Sequence, residues 1–194
     1  MKNRKEQMEI TADQMRGELK RIRYKREYAR TLRSTLFSLL VVAALILSVA
    51  AYLPIVRITG DSMGDTLRRG DILLTLRGDD VRRGDLVAFY VAGNKMLVKR
   101  VAALGGDQVQ MEPDGTLIVN AETVSEKYVT HQSLGECDLE FPYKIPNERV
   151  FVLGDNRETS IDSRSSAIGC IAREQIIGKA ALRIWPLEAF GWIQ

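Results

Sequence analysis

The chain has 194 residues, with 28 Lys/Arg, 25 Asp/Glu, one His and two Cys. That length suits one globular domain of ordinary size plus an additional segment, and no His/Cys/Asp cluster has the spacing of a metal site. The net charge of +3 hides a division: residues 1–33 hold eleven Lys/Arg and five Asp/Glu, the remainder seventeen and twenty, so the two parts suit different surroundings.

Residues 1–33 read as a basic, solvated helix. Met8, Met15, Ile22 and Ala29 recur every seven residues, with Ala12 and Leu19 between them. That stripe is too thin and too charged for a coiled coil. Residues 34–56 carry no charge, and 23 residues suffice for a helix across ~30 Å of hydrocarbon. A flanking basic segment stays on the cytoplasmic side, so residues 57–194 are expected outside, with Arg30 and Arg33 at the headgroups. A cleaved leader is the alternative, with Ser48-Val49-Ala50 as a small-x-small triplet. Its apolar core would be ~7–15 residues, shorter than this run.

From Ile55 onward short β-rich runs alternate with Gly/Asp turns. Strands are predicted at 72–76, 86–91, 96–104, 108–111, 117–119, 150–153 and 179–185, separated by turns such as Gly105-Gly106-Asp107 and Pro113-Asp114-Gly115. At most a short helix fits 172–177. Residues 121–147 have the least pattern and are expected to form an extended loop or a β-ribbon. The sum is a mainly β, antiparallel sandwich or barrel-like domain behind one apolar helix. Cys137 and Cys170 both fall in this outer part, where a disulfide and two separate thiols are both open.

Two residues stand out for chemistry. Ser62 lies in Gly60-Asp61-Ser62-Met63-Gly64-Asp65-Thr66-Leu67, where two glycines permit a tight turn that exposes a hydroxyl and aims N–H groups at one point. Lys99 lies in a strand that is otherwise almost fully apolar. Alternation places Leu97, Lys99 and Val101 on one face and Val98 and Arg100 on the other. A lysine buried there loses hydration of its charged form, and its neutral amine can then act as a general base. The 37-residue spacing of this pair is not the one-turn S-x-x-K arrangement. His131, the single histidine, sits in an unpatterned stretch with no orienting carboxylate, which leaves a histidine triad without support. No phosphate-binding or dinucleotide fingerprint is present.

Four strings in order resemble the motifs of the bacterial type I signal peptidases. They are Gly60 to Leu67, Gly84-Asp85-Leu86-Val87-Ala88-Phe89, Lys99 to Asp107, and Gly154-Asp155-Asn156-Arg157-Glu158-Thr159-Ser160-Ile161-Asp162-Ser163-Arg164. The last is the most specific. The resemblance covers roughly residues 34–186. It implies Ser62 as nucleophile, with its backbone N–H toward the oxyanion, and Lys99 as general base. Ser160 would orient that lysine, Asp155 would pair with Arg100, and Asp162 with Arg164. Met63, Leu67, Leu97 and Val98 match positions near small pockets that accept alanine-sized side chains. No cofactor is implied. Partners would be preproteins bearing signal peptides, the lipid bilayer and the secretion translocon, with the catalytic domain on the outer face of the plasma membrane. Two positions depart from the pattern: Asp65 replaces a motif proline, and Gly60 stands where some members have a serine. A repressor-type Ser-Lys autoprotease is disfavoured because a membrane span occupies the place of a DNA-binding module. A degenerate binding module is favoured only by Asp65.

Overall fold

The computed structural model describes residues 12–78, 80–91, 93 and 95–193. They fall into two compact units, residues 1–49 and 50–194. In the first, one helix (α1, Ala12–Tyr52) carries the chain through the charged and the uncharged segments. A stretch of it is long and apolar enough to cross a membrane. Of the seven-residue stripe, Met8 lies outside the described residues, while Met15, Leu19 and Ile22 are exposed. The helix stops at Tyr52, before Pro54, whose ring restricts the residue preceding it and cannot donate to a helical ladder.

The second unit is β-rich. Its strands are β1 (Ile55–Arg57), β2 (Ile72–Leu76), β3 (Leu86–Val91), β4 (Lys95–Leu104), β5 (Gln108–Met111), β6 (Leu117–Val119), β7 (Glu122–Thr123), β8 (Tyr143–Lys144), β9 (Arg149–Leu153), β10 (Ile171–Ala172), β11 (Ile176–Trp185) and β12 (Gly191–Trp192). One antiparallel sheet has the order β1-β2-β11-β3-β4-β9-β10, with β12 also on β11. It is open rather than a closed barrel. A smaller sheet has the order β7-β6-β5-β8. Between β7 and β8 the chain is irregular, but Val124, Leu134, Leu139 and Phe141 pack on the core beneath it. Residues 173–175 make a 3-10 turn between two strands rather than a longer helix.

Two features of this sheet open a gap between its edges. First, β4 is twice the length of β9, so β9 pairs it only at 100–104, while β3 pairs it at 95–100. Residues 95–99 therefore leave one edge without a strand partner among the described residues. β1 likewise pairs only with β2. Second, the two faces of β4 go to different cores. Leu97 and Val101 pack with Phe89, Val150, Val152 and Ile171. Val98 packs with Val56, Ile58, Met63, Leu67 and Leu73. This second core ties β1 to β4 although three strands lie between them in the sheet order, so the sheet curls and its two open edges bound a common gap. Cys137 and Cys170 are free thiols.

Candidate active site

A cavity of about 650 Å3 occupies that gap. Val56 and Arg57 of β1 wall one side, Leu97, Val98 and Lys99 of β4 the other, and Gly60, Asp61, Ser62 and Met63 close one end. Ser62 and Lys99 thus open onto the same space. Of the four side chains expected around small pockets, Met63, Leu97 and Val98 line it. Leu67 does not: it is fully buried in the core beneath.

Lys99 is only 2 % exposed. Its amine donates to Ser160 Oγ at 2.8 Å, and the Ser160 hydroxyl donates to Asp162 Oδ2 at 2.6 Å. A hydroxyl has one proton to give. Since Asp162 takes it, the Ser160 oxygen is left to accept from Lys99. Burial lowers the Lys99 amine from its ordinary 10.5 to about 8, with Asp162 and Asp155 opposing and Arg164 and Lys95 assisting. A substantial neutral fraction at neutral to mildly alkaline pH follows.

Asp162 is the hub. Oδ2 also accepts from the Gly154 N–H at 2.9 Å and from Arg164 Nη2 at 2.9 Å, and Oδ1 accepts from Arg164 Nε at 2.8 Å. Burial alone would raise this carboxyl. The Arg164 hydrogen bond and charge, with the Gly154 N–H and the Ser160 hydroxyl, outweigh it and hold the group below the usual carboxylate range. Arg164 is 0 % exposed. Its remaining donors reach the carbonyls of Leu134, Arg157 and Ser160.

Asp155 is a second junction. It receives Arg100 Nε and Nη2 at 3.0 and 2.8 Å and the Thr66 hydroxyl at 2.6 Å. One carboxylate thereby joins the Ser62 loop, the Lys99 strand and the polar segment after β9. Arg100 also donates to the Gly84 carbonyl at 2.8 Å and lies 3.9 Å over the Tyr128 ring.

Gly154 makes these approaches possible. A Cβ there would lie 2.2 Å from Ser160 Oγ and 2.5 Å from the Ser62 carbonyl oxygen. Its φ is not positive, so the requirement is space rather than backbone freedom. With the side chain missing, the Asn156 N–H reaches the Ser62 carbonyl at 3.1 Å.

Several contributors carry no mark in the sequence. Glu126 and Tyr128 come from the unpatterned stretch. Glu126 Oε1 takes Arg157 Nη2 at 2.5 Å and the Tyr128 hydroxyl at 2.9 Å, and Arg157 Nε binds the Gly154 carbonyl at 3.0 Å. Arg183 of β11 donates to the Thr66 carbonyl. The signal for Arg157 was its place in the polar run, whereas nothing local marks Glu126 or Arg183. Asp65 does not line the Ser62/Lys99 cavity. It faces Arg68 at 3.4 Å on an exposed turn and borders a separate small cavity with His131.

A serine hydroxyl and a buried lysine with a lowered pKa border one cavity, an arrangement that suits a serine nucleophile. The family model described as signal peptidase, peptidase S26, matches residues 29–185. Signal peptidase IB of Staphylococcus aureus is 34 % identical over 152 residues, covering 69 % of this chain and 78 % of that one. A probable signal peptidase I-2 of Synechocystis is 31 % identical over 153 residues, covering 73 % and 65 %. The crystal structure of a signal peptidase I from Enterococcus faecalis matches 52 % of this chain and 96 % of that one at 26 % identity, with a TM-score of 0.45. The chain belongs to the signal peptidase family, peptidase S26.

Proposed function

We propose that this chain is a membrane-anchored serine endopeptidase that removes signal peptides from exported preproteins, with Ser62 as nucleophile and Lys99 as general base. The observation that carries the reading is the orientation of the lysine. One N–H of its amine is spent on Ser160, because the Ser160 proton is committed to Asp162. The lone pair of the neutral amine is then free to face the cavity onto which Ser62 opens.

The chemistry follows from that geometry. Lys99 Nζ takes the Ser62 hydroxyl proton as Oγ attacks the scissile carbonyl carbon, and the carbonyl oxygen becomes an oxyanion that the Ser62 N–H can meet. Lys99 then gives the proton to the leaving amine. An acyl-enzyme on Ser62 remains. A water, deprotonated by the same amine, attacks the acyl carbon, and the ammonium returns that proton to Ser62 Oγ as the C–Oγ bond breaks, freeing the new carboxyl end and restoring the neutral amine. Ser160 and Asp162 position the amine throughout. Asp155 keeps the two reacting segments together through Thr66 and Arg100.

The unpartnered edges of β1 and β4 supply backbone donors and acceptors for an extended substrate. Alternate side chains of such a strand point to one wall. Met63, Leu97 and Val98 crowd that wall, so alanine-sized residues at the first and third positions before the cut are admitted and larger ones excluded. The helix holds enzyme and preprotein in one bilayer, which raises their effective concentration. The basic segment before the apolar run sets the N-terminus in the cytoplasm and the catalytic unit on the outer face of the plasma membrane.

Purified full-length chain in detergent micelles, assayed on a preprotein with an Ala-x-Ala site, tests this. Ser62→Ala and Lys99→Ala are each expected to abolish cleavage. Ser160→Ala is expected to lower kcat by about 10- to 100-fold, less than the ~100- to 10,000-fold that general acid–base catalysis contributes, because the base itself remains. Normal processing by the Lys99→Ala protein would overturn the assignment.

A further inference from the structure

Seven of the eight charged side chains buried among the described residues belong to one connected cluster: Lys99, Arg100, Glu126, Asp155, Arg157, Asp162 and Arg164. The eighth, Asp71, faces Arg183. Six of the seven form one-to-one ion pairs. Arg100 meets Asp155 at 2.8 Å, Arg157 meets Glu126 at 2.5 Å, and Arg164 meets Asp162 at 2.8 Å. Lys99 is left over, since its amine meets the Ser160 hydroxyl rather than a carboxylate. Guanidinium groups stay charged. The cluster therefore holds three cations and three anions when the amine is neutral, and one cation in excess when it is an ammonium. Low-dielectric surroundings penalise that excess.

Two of the pairs adjoin the lysine through Asp162 and through its strand neighbour Arg100. The third is more distant. Glu126 comes from the irregular segment between β7 and β8, and neither it nor Arg157 lines the Ser62/Lys99 cavity. A continuous path of hydrogen bonds nonetheless joins it to the amine. Glu126 holds Arg157, whose Nε donates to the Gly154 carbonyl. The N–H of Gly154 donates to Asp162, which takes the Ser160 proton. The same segment reaches the other two arginines. The Tyr128 ring lies against Arg100 while its hydroxyl donates to Glu126, and the Leu134 carbonyl accepts from Arg164 Nη1 at 2.6 Å. Arg57, Asp61 and Lys95 border the same cavity as Lys99, but they are exposed and screened by solvent, and Asp61 is paired with Arg69.

We propose that Glu126 is a positioning residue for the base: its carboxylate neutralises Arg157, fixes the Gly154 peptide and so sets how firmly Lys99 holds a proton. This rests on the peptidase reading, in which that amine is the base. The sign of each charge gives opposite consequences for the two partners. Without the Glu126 carboxylate, Arg157 is an unmatched buried cation, and the ammonium form of Lys99 is disfavoured further. Without the Arg157 guanidinium, the Glu126 carboxylate is the unmatched charge, and it favours the ammonium. The Tyr128 hydroxyl, kept protonated by burial and by the Glu126 charge, still donates to that carboxylate and helps hold it ionised. Removing both partners restores the balance. A pair that served packing alone would loosen the site in the same way from either side.

The test measures kcat/KM against pH for full-length protein in detergent, on an internally quenched peptide with one Ala-x-Ala site. The variants are Glu126→Gln, Arg157→Gln and the two combined, each with a melting curve. Glu126→Gln is expected to move the acid limb to lower pH by about half a unit or more, the size of effect a buried charge exerts across intervening groups. Arg157→Gln is expected to move it to higher pH, and the double variant to return it to the wild-type position. In both single variants kcat is expected to fall by about tenfold, with KM within about twofold of wild type, because neither residue touches the cavity. If one single variant does not fold, the other carries its own signed expectation. The double leaves no buried charge unmatched, so it is expected to fold. A limb that stays in place in a folded single variant, moves the same way in both, or remains displaced in the double overturns the proposal. A wild type that leaves the peptide whole overturns the peptidase reading itself.

Discussion

In the proposed mechanism Lys99 faces opposed demands: burial frees its amine to act as a base but costs stability. Its depressed folded value, about 8 against an ordinary 10.5, means the unfolded chain binds more protons between those pH values. Stability from this group therefore rises with pH through that window. The cost is full below about pH 8 and gone above about 10.5, and is on the order of 3 kcal/mol. Lys99→Met, which keeps the shape and removes the charge, is expected to melt several degrees higher at pH 7, with the difference fading toward pH 10.5. Wild-type kcat/KM should rise with pH through an apparent pKa near 8. A Lys99→Met protein no more stable than wild type at pH 7 would contradict the burial cost. The lysine was legible because a lone cation in an apolar strand is conspicuous, and the polar run after β9 announced itself by density. Glu126 was not legible. A carboxylate in an unpatterned stretch looks solvated, and only the tertiary path of that stretch seats it against Arg157.

Between elements, the site depends on one missing side chain. Gly154 lets the Ser62 turn, the end of β9 and the Ser160 turn converge, and two of the atoms a Cβ would meet there are the Ser62 carbonyl and the Ser160 hydroxyl. Gly154→Ala should cost about 1–3 kcal/mol, as overpacking does, and lower activity well beyond what lost folding explains. Gly60→Ala, where a Cβ meets nothing within 4 Å, should melt like wild type. Paired melting curves and turnover measurements decide this, and an active, stable Gly154→Ala protein would dismiss the packing account. Seven strands were readable from alternation and turn residues, three-residue β6 among them. β7, β8, β10 and β12 were not, being two residues each, too short to show a period, and β1, as long as β6, was hidden at the end of the apolar run. The loss matters most for β1, since Val56 and Arg57 wall the site. Read as the tail of the apolar run, Ile55 and Val56 gave no sign that Val56 belongs to the core under Ser62.

At the scale of the molecule, the chain divides into a helix and a β domain, and the change in charge after residue 33 falls within the helix rather than between the two units. The curl of the sheet was hidden in the sequence, because strand order and the pairing of β11 with β2 and β3 are long-range choices. The curl has a consequence for accuracy. Four successive antiparallel pairings separate β1 from β4, so the two run in the same direction, one leading to Ser62 and the other holding Lys99. In the proposed mechanism a substrate strand between them lies against two rails with a common two-residue repeat. Sliding by one residue turns every side chain to the opposite wall, whereas sliding by two restores the original facing. On that reading the protein measures in steps of two. On a run of alanines, its stray cuts should fall two residues from the main one and rarely at the neighbouring bond, a pattern mass spectrometry of the products would expose or refute.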